Sequence, residues 1–220
     1  MSAHGRKLSV IDWELLILLL AGLIFGAGCT KAQLQGQSSV VPVLDQLSGA
    51  SGATPAAFAG YLASDVLTYV KTQVEGAQVC SPTIFQDSGR ATFHLSLKDP
   101  GTIDIPTYPS PANTITFTSY HVNYRRTDGR NTPGVDVPYP FDGGMQAAIV
   151  GGNVTIGQIT LVRVQSKEEP PLRALINGGG ARTISTIGEI TFYGTDQAGR
   201  AIVVTGYINI DFSDWGDPDC

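Results

Sequence analysis

Positive charge is scarce in this chain of 220 residues, with 14 lysines and arginines against 19 aspartates and glutamates and a net charge of −5. Arg125, Arg126 and Arg130 form its one local concentration, which is too small for nucleic acid, whose phosphates demand a broad basic footprint. Histidine is equally thin: of three, His4 lies at the extreme N-terminus, leaving His94 and His121. No His-x-His or Cys-x-x-Cys pair occurs, so no metal site can be read from ligand spacing. The Gly-x-Ser-x-Gly elbow of the α/β-hydrolases is also missing, although a triad assembled from distant residues stays open. Nor is there an apolar run of the ~20 residues that a spanning helix needs. The longest, Leu15 to Phe25, is closed by Asp12 and Glu14 before it and by Gly26 and Gly28 after it.

What is present begins with the order of the N-terminus. A basic head (Arg6, Lys7), the apolar run and the small residues Gly26-Ala27-Gly28 follow the sequence of a secretory signal peptide. Cys29 stands directly after the small residues. This arrangement resembles the lipobox of bacterial lipoproteins, with Gly26 where leucine is commonest in that family. The resemblance implies cleavage before Cys29 and fatty acyl chains of the palmitate class on that residue, each buried methylene contributing about 0.8 kcal/mol to membrane attachment. In that family an aspartate after the cysteine retains the protein at the inner membrane. Thr30 here therefore implies the outer membrane, on its periplasmic or surface face. An uncleaved anchor or an ordinarily cleaved secreted protein are the alternatives. Removing residues 1–28 takes away equal numbers of acidic and basic groups, so the net charge is unchanged.

With Cys29 acylated, Cys80 and Cys220 remain as an even pair in an oxidising compartment. Either they bridge, pinning the C-terminus to an early segment, or they are two unpaired thiols. Residues 29–60, rich in Gln, Ser, Gly and Ala, read as a flexible tether with one apolar patch at Val40 to Leu47, docking of Val40 to Leu44 on the domain being the alternative for that patch. That leaves 61–220 as a single domain, and ~150 residues bury about 68–70% of their unfolded surface without a disulfide scaffold.

Within that domain the pattern is of strands. Ile202, Val204, Gly206, Ile208, Ile210 and Phe212 alternate with more polar positions, and Ile190 and Phe192 repeat the phase before a turn at Asp196-Gln197-Ala198-Gly199. Ala91, Phe93 and Leu95 alternate with Thr92, His94 and Ser96. Residues 113–126 form a long strand whose apolar phase slips between Phe117 and Tyr120, which implies a bulge near Thr118-Ser119. Runs at 66–74, 146–150 and 156–164 complete about seven strands, with proline confined to the gaps. Seven antiparallel strands with turn signals predict an all-β sandwich. Residues 190–212, ITFYGTDQAGRAIVVTGYINIDF, resemble the closing hairpin of bacterial immunoglobulin-like and fibronectin-III-like domains. The resemblance implies an immunoglobulin-like fold, without the Cys…Trp…Cys core of antibody domains.

Residues 127–144 are the most distinctive connection. Asp128, Asp136 and Asp142 offer oxygen ligands of the kind Ca²⁺ takes, and Tyr139 and Phe141 an aromatic platform for a ligand; an ordered connection stapled by turn residues is the plainer account. Glu168-Glu169, between Lys167 and two prolines, reads as a solvated loop, Asn177 to Gly180 as a flexible one, and the acidic ending around Trp215 as a solvated tail. The function this predicts is a non-enzymatic lipoprotein of the cell envelope, a structural or binding module whose partners are the membrane and other envelope or surface proteins. The alternative is a metal- or carbohydrate-binding protein, or a hydrolase, using the 127–144 loop.

Overall fold

The computed structural model describes residues 38–178, 182–217 and 220; the leader and Cys29 lie outside them. Among the described residues the chain forms ten strands. In order these are β1 (Val40–Ala50), β2 (Tyr61–Asp65), β3 (Thr68–Val74), β4 (Ala77–Thr83), β5 (Asp87–Leu97), β6 (Thr114–Arg125), β7 (Phe141–Val150), β8 (Thr155–Val162), β9 (Ile184–Asp196) and β10 (Ala201–Ser213). A short helix, α1 (Val164–Glu168), and a 3-10 turn at Leu172–Leu175 separate β8 from β9. A five-stranded sheet runs β2-β10-β9-β6-β7 and a three-stranded sheet β1-β5-β8, while β3 and β4 form a separate hairpin. Pairing is antiparallel throughout except between β2 and β10, which run parallel. The fold is thus all-β and sandwich-like.

Apart from the largely exposed β3–β4 hairpin, the strands lie where their apolar alternation can be buried. Ile190, Phe192, Ile208, Ile210 and Phe212 point inward from the β9–β10 hairpin, and Phe93 and Leu95 from β5. Phe93, Phe117 and Phe192 meet between the sheets, with Phe93 4.9 Å from Phe117 and edge-on to Phe192 at 5.1 Å. Such pairs contribute about 0.5–1.5 kcal/mol beyond the area they bury. The expected bulge is present: β6 shifts register between Phe117 and Ser119 against both β7 and β9. Gly199 takes its place in the hairpin turn with φ of 75°, a left-handed value that glycine adopts without steric cost.

The domain starts earlier than the composition suggests. Residues 40–50, expected within the tether, form β1 and pair with β5 from Val40↔Leu97 to Ala50↔Ser88, and the compact unit begins at Ser39. Val40, Leu47 and Ala50 are buried there, so tertiary burial overrides a Ser/Gly-rich composition. The strand count exceeds seven for that reason, because β2 (Tyr61–Asp65) precedes the expected 66–74 run, of which Thr68–Val74 forms β3, and because β4 carries little apolar signal. No helix among the described residues is long and apolar enough to cross a membrane.

Candidate functional site

The 127–144 segment folds as an ordered connection. The Asp128 carboxylate accepts hydrogen bonds from Arg126 Nη2 at 2.6 Å and Arg130 Nε at 3.0 Å. Those charged bonds, Arg126's foremost, hold its carboxyl well below the usual carboxylate range. Asp136 accepts from the Thr132 N–H at 3.2 Å, whereas Asp142 lies in β7 and pairs with His121 Nδ1 at 2.8 Å. Phe141 is buried at the start of β7, and Tyr139 covers Gly134, whose added Cβ would lie under 3 Å from the ring. The three aspartates therefore hold separate partners. His94 is engaged elsewhere, 2.7 Å from Asp45 on β1. Among the described residues, no group of three or more His, Cys, Asp or Glu is arranged to hold a metal ion.

The structure instead concentrates its polar groups at the segment after β10. Asp214, Trp215 and Asp217 form a strap rather than a solvated tail. The backbone N–H of Trp215 donates to Asp65 Oδ1 at 3.0 Å, Asn177 N–H donates to Asp214, and Tyr69 N–H donates to Asp217 Oδ2 at 3.0 Å. Beyond it Cys220 is bonded to Cys80 of β4, their Cα atoms 5.9 Å apart. Between strap and sandwich opens a cleft of about 580 Å³. Tyr69, Phe85 and Trp215 supply aromatic surface in it, Asp65 and Asp217 carboxylates, and Lys71 a cation. Burial raises the Asp65 carboxyl above its ordinary value, and repulsion from Asp217 and Asp214 adds to that, against the hydrogen bonds it accepts from Thr68 and Trp215.

Behind the cleft lies a fully buried polar cluster. Asp87 opens β5 opposite Val162, the last residue of β8. The chain then turns through α1, and Lys167 reaches back so that its Nζ donates to Asp87 Oδ1 at 2.9 Å and to the Asp65 carbonyl at 2.7 Å. Ser64 Oγ donates to Asp87 Oδ2 at 2.6 Å, and the Gly52 N–H to Oδ1 at 2.8 Å. Lys167, Asp87 and Ser64 are each 0% exposed. One carboxylate thereby ties together the β1–β2 loop, β2 and α1, the first two of which wall the cleft. Burial is the largest influence on Asp87 and raises its carboxyl above the ordinary range, although Lys167 and the hydrogen bonds act to lower it.

Sequence reasoning missed this cluster. Lys167 stands beside two glutamates and two prolines, a local pattern of a solvated loop, and its partners are 80 and 102 residues away. The strap was hidden similarly, since its aspartates look like an acidic ending until their backbone donors are known. Comparison with protein-family models and with curated proteins finds no match to this chain.

Proposed function

We propose that the chain is a non-enzymatic, lipid-anchored module of the cell envelope, built on an immunoglobulin-like sandwich that presents the strap-bounded cleft as its binding site. The observation that carries the binding role is the cleft itself. Its volume, its three aromatic side chains and its few polar groups around a carboxyl displaced from its ordinary pKa have the composition of small-molecule sites.

The order of the strands supports the immunoglobulin-like part. Immunoglobulin sandwiches set strands A, B and E against C, F and G, with C′ beside C in the variable type. In chain order β1, β5 and β8 correspond to A, B and E, and β6, β7, β9 and β10 to C, C′, F and G. Phe93, Phe117 and Phe192 then stand on strands B, C and F, where antibody domains carry Cys, Trp and Cys. The β3–β4 hairpin is an insertion between A and B, and it carries one wall of the cleft.

The anchoring part rests on the lipobox-like run ending at Cys29. Mass spectrometry of the N-terminal peptide from a membrane fraction tests it: an acylated Cys29 supports the reading, and an unmodified Met1 start in the cytosol overturns it. Carbohydrate binding is the second reading. Aromatic faces beside carboxylates and the hydroxyls of Ser51, Thr54 and Thr68 suit the C–H and O–H surfaces of a sugar. Titration of Trp215 fluorescence with an N-acetylglucosamine oligomer examines it, a saturable change supporting sugar binding and an unresponsive signal removing it.

A further inference from the structure

We propose that Lys167 and Asp87 are condensed into an amide between their side chains, a covalent clamp inside the sandwich. The geometry supplies what such a bond requires. The nucleophile, Lys167 Nζ, lies 2.9 Å from Asp87 Oδ1, an oxygen on the carbon it would attack, and both residues are wholly buried. Reacting groups fixed in this way gain effective molarities of about 10⁵–10⁸ M. The Asp65 carbonyl accepts one N–H of Lys167 and fixes the amine's position. Two donors, Ser64 Oγ at 2.6 Å and the Gly52 N–H at 2.8 Å, already rest on the two carboxyl oxygens, where negative charge would develop during attack.

The step balances without any further reagent. The ammonium proton passes to the Asp87 carboxylate, giving a neutral amine and a neutral acid; burial, which raises the Asp87 carboxyl, favours that transfer. The Nζ lone pair then forms a bond to Cγ, the Cγ–OH bond breaks, and the hydroxyl leaves with an amine proton as water. Nothing is oxidised or reduced. Burial also favours the product, because condensation replaces two desolvated charges by a neutral amide. Removing a single ion from water costs several kcal/mol even after relaxation.

The consequence is a second covalent tie beside the disulfide. It joins the start of β5 to α1 and cannot be undone by thiol reductants, so the walls of the cleft stay closed when Cys80–Cys220 is reduced. The inference is independent of the anchoring and binding readings and survives the failure of either.

The decisive experiment is a tryptic digest of the folded, purified full-length chain after reduction of the disulfide, read by mass spectrometry. The expected product is a branched peptide joining residues 72–90 to residues 164–173, lighter by one water than the two together and uncut after Lys167. Lys167→Arg, which keeps the cation without forming this bond, should return the two segments as separate peptides. Separate peptides from the wild-type chain, with Asp87 unmodified and cleavage after Lys167, would overturn the proposal. The wild-type digest alone decides, whether or not the variant folds.

Discussion

Tyr124 of β6 donates its hydroxyl to the Leu161 carbonyl of β8, 2.6 Å away across the interior. Four residues earlier on the same strand, Tyr120 Oη accepts the Thr160 N–H at 2.8 Å. Two tyrosines of one sheet thus bond the backbone of the other at adjacent positions. Tyr124 is wholly buried, and burial pushes its phenol far above the ordinary value, so it remains a donor at every accessible pH. Tyr124→Phe leaves the Leu161 carbonyl without this donor and should cost about 1–3 kcal/mol. Urea unfolding should report a lower midpoint with an unchanged slope. An unmoved midpoint would show that the contact adds nothing.

Gly194 on β9 faces the bulge of β6. A Cβ there would lie 2.3 Å from the Thr116 carbonyl oxygen, a backbone atom that cannot swing away. Gly194→Ala should therefore destabilise by about 1–3 kcal/mol, seen as a lower thermal midpoint. A wild-type midpoint would mean that the bulge can shift to admit the methyl group.

Lys167→Met leaves Asp87 as a buried carboxyl without its lysine partner, whether that partner holds it by charge or by the amide, and should cost about 3–5 kcal/mol. Combining it with Asp87→Leu removes the stranded carboxyl and should restore part of that loss, because the penalty comes from an uncompensated buried charge. Chemical denaturation of the two single variants and the double variant measures the coupling. Simple additivity would contradict it.

The Asp196 carboxyl closes the β9–β10 turn by accepting from Arg200 Nε at 2.7 Å and from the backbone of Ala198 and Arg200. Burial pushes its pKa up, but these bonds prevail and hold it below the ordinary value. A carboxyl depressed by folding contributes stability above its unfolded pKa, about 3.9. That contribution is lost as pH falls through the folded value. Asp196→Asn should lower stability at neutral pH by about 1 kcal/mol and flatten the acid limb between pH ~5 and ~2. Urea midpoints recorded across that range provide the check, and parallel curves for variant and wild type would refute it.

Reduction of Cys80–Cys220 should free the end of the strap while its three hydrogen bonds remain. Loop-closure models assign about 4–5 kcal/mol to bridges this long, with measured effects often smaller. Cys220→Ser should lower the denaturation midpoint and shift Trp215 emission to the red. Unchanged emission would mean that the hydrogen bonds alone seat the strap.

What was legible in the sequence is what a local period can encode. The closing hairpin and the bulge in β6 follow from alternation over a few residues, because burying one face of a strand leaves a period of two. β1 escaped because Pro42 and a Ser/Gly-rich end dilute that period, and its burial depends on β5, some forty residues on. The site escaped for a related reason. Asp65, Asp87, Lys167 and Trp215 come from four separate segments, and nothing near any of them marks it as buried or paired. Local spacing favoured the 127–144 loop, whose aspartates prove to serve Arg126 and Arg130, the Thr132 N–H and His121 separately.

The parallel placement of β2 beside β10 has a consequence for how the chain comes together. β10 sits between β2 and β9, so β2 has no neighbour in its sheet until β10 (Ala201–Ser213), far along the chain from Tyr61–Asp65, is also in place. The larger sheet therefore closes through a long-range pairing. Until that pairing forms, the bare edge of β2 must be shielded from pairing with another copy.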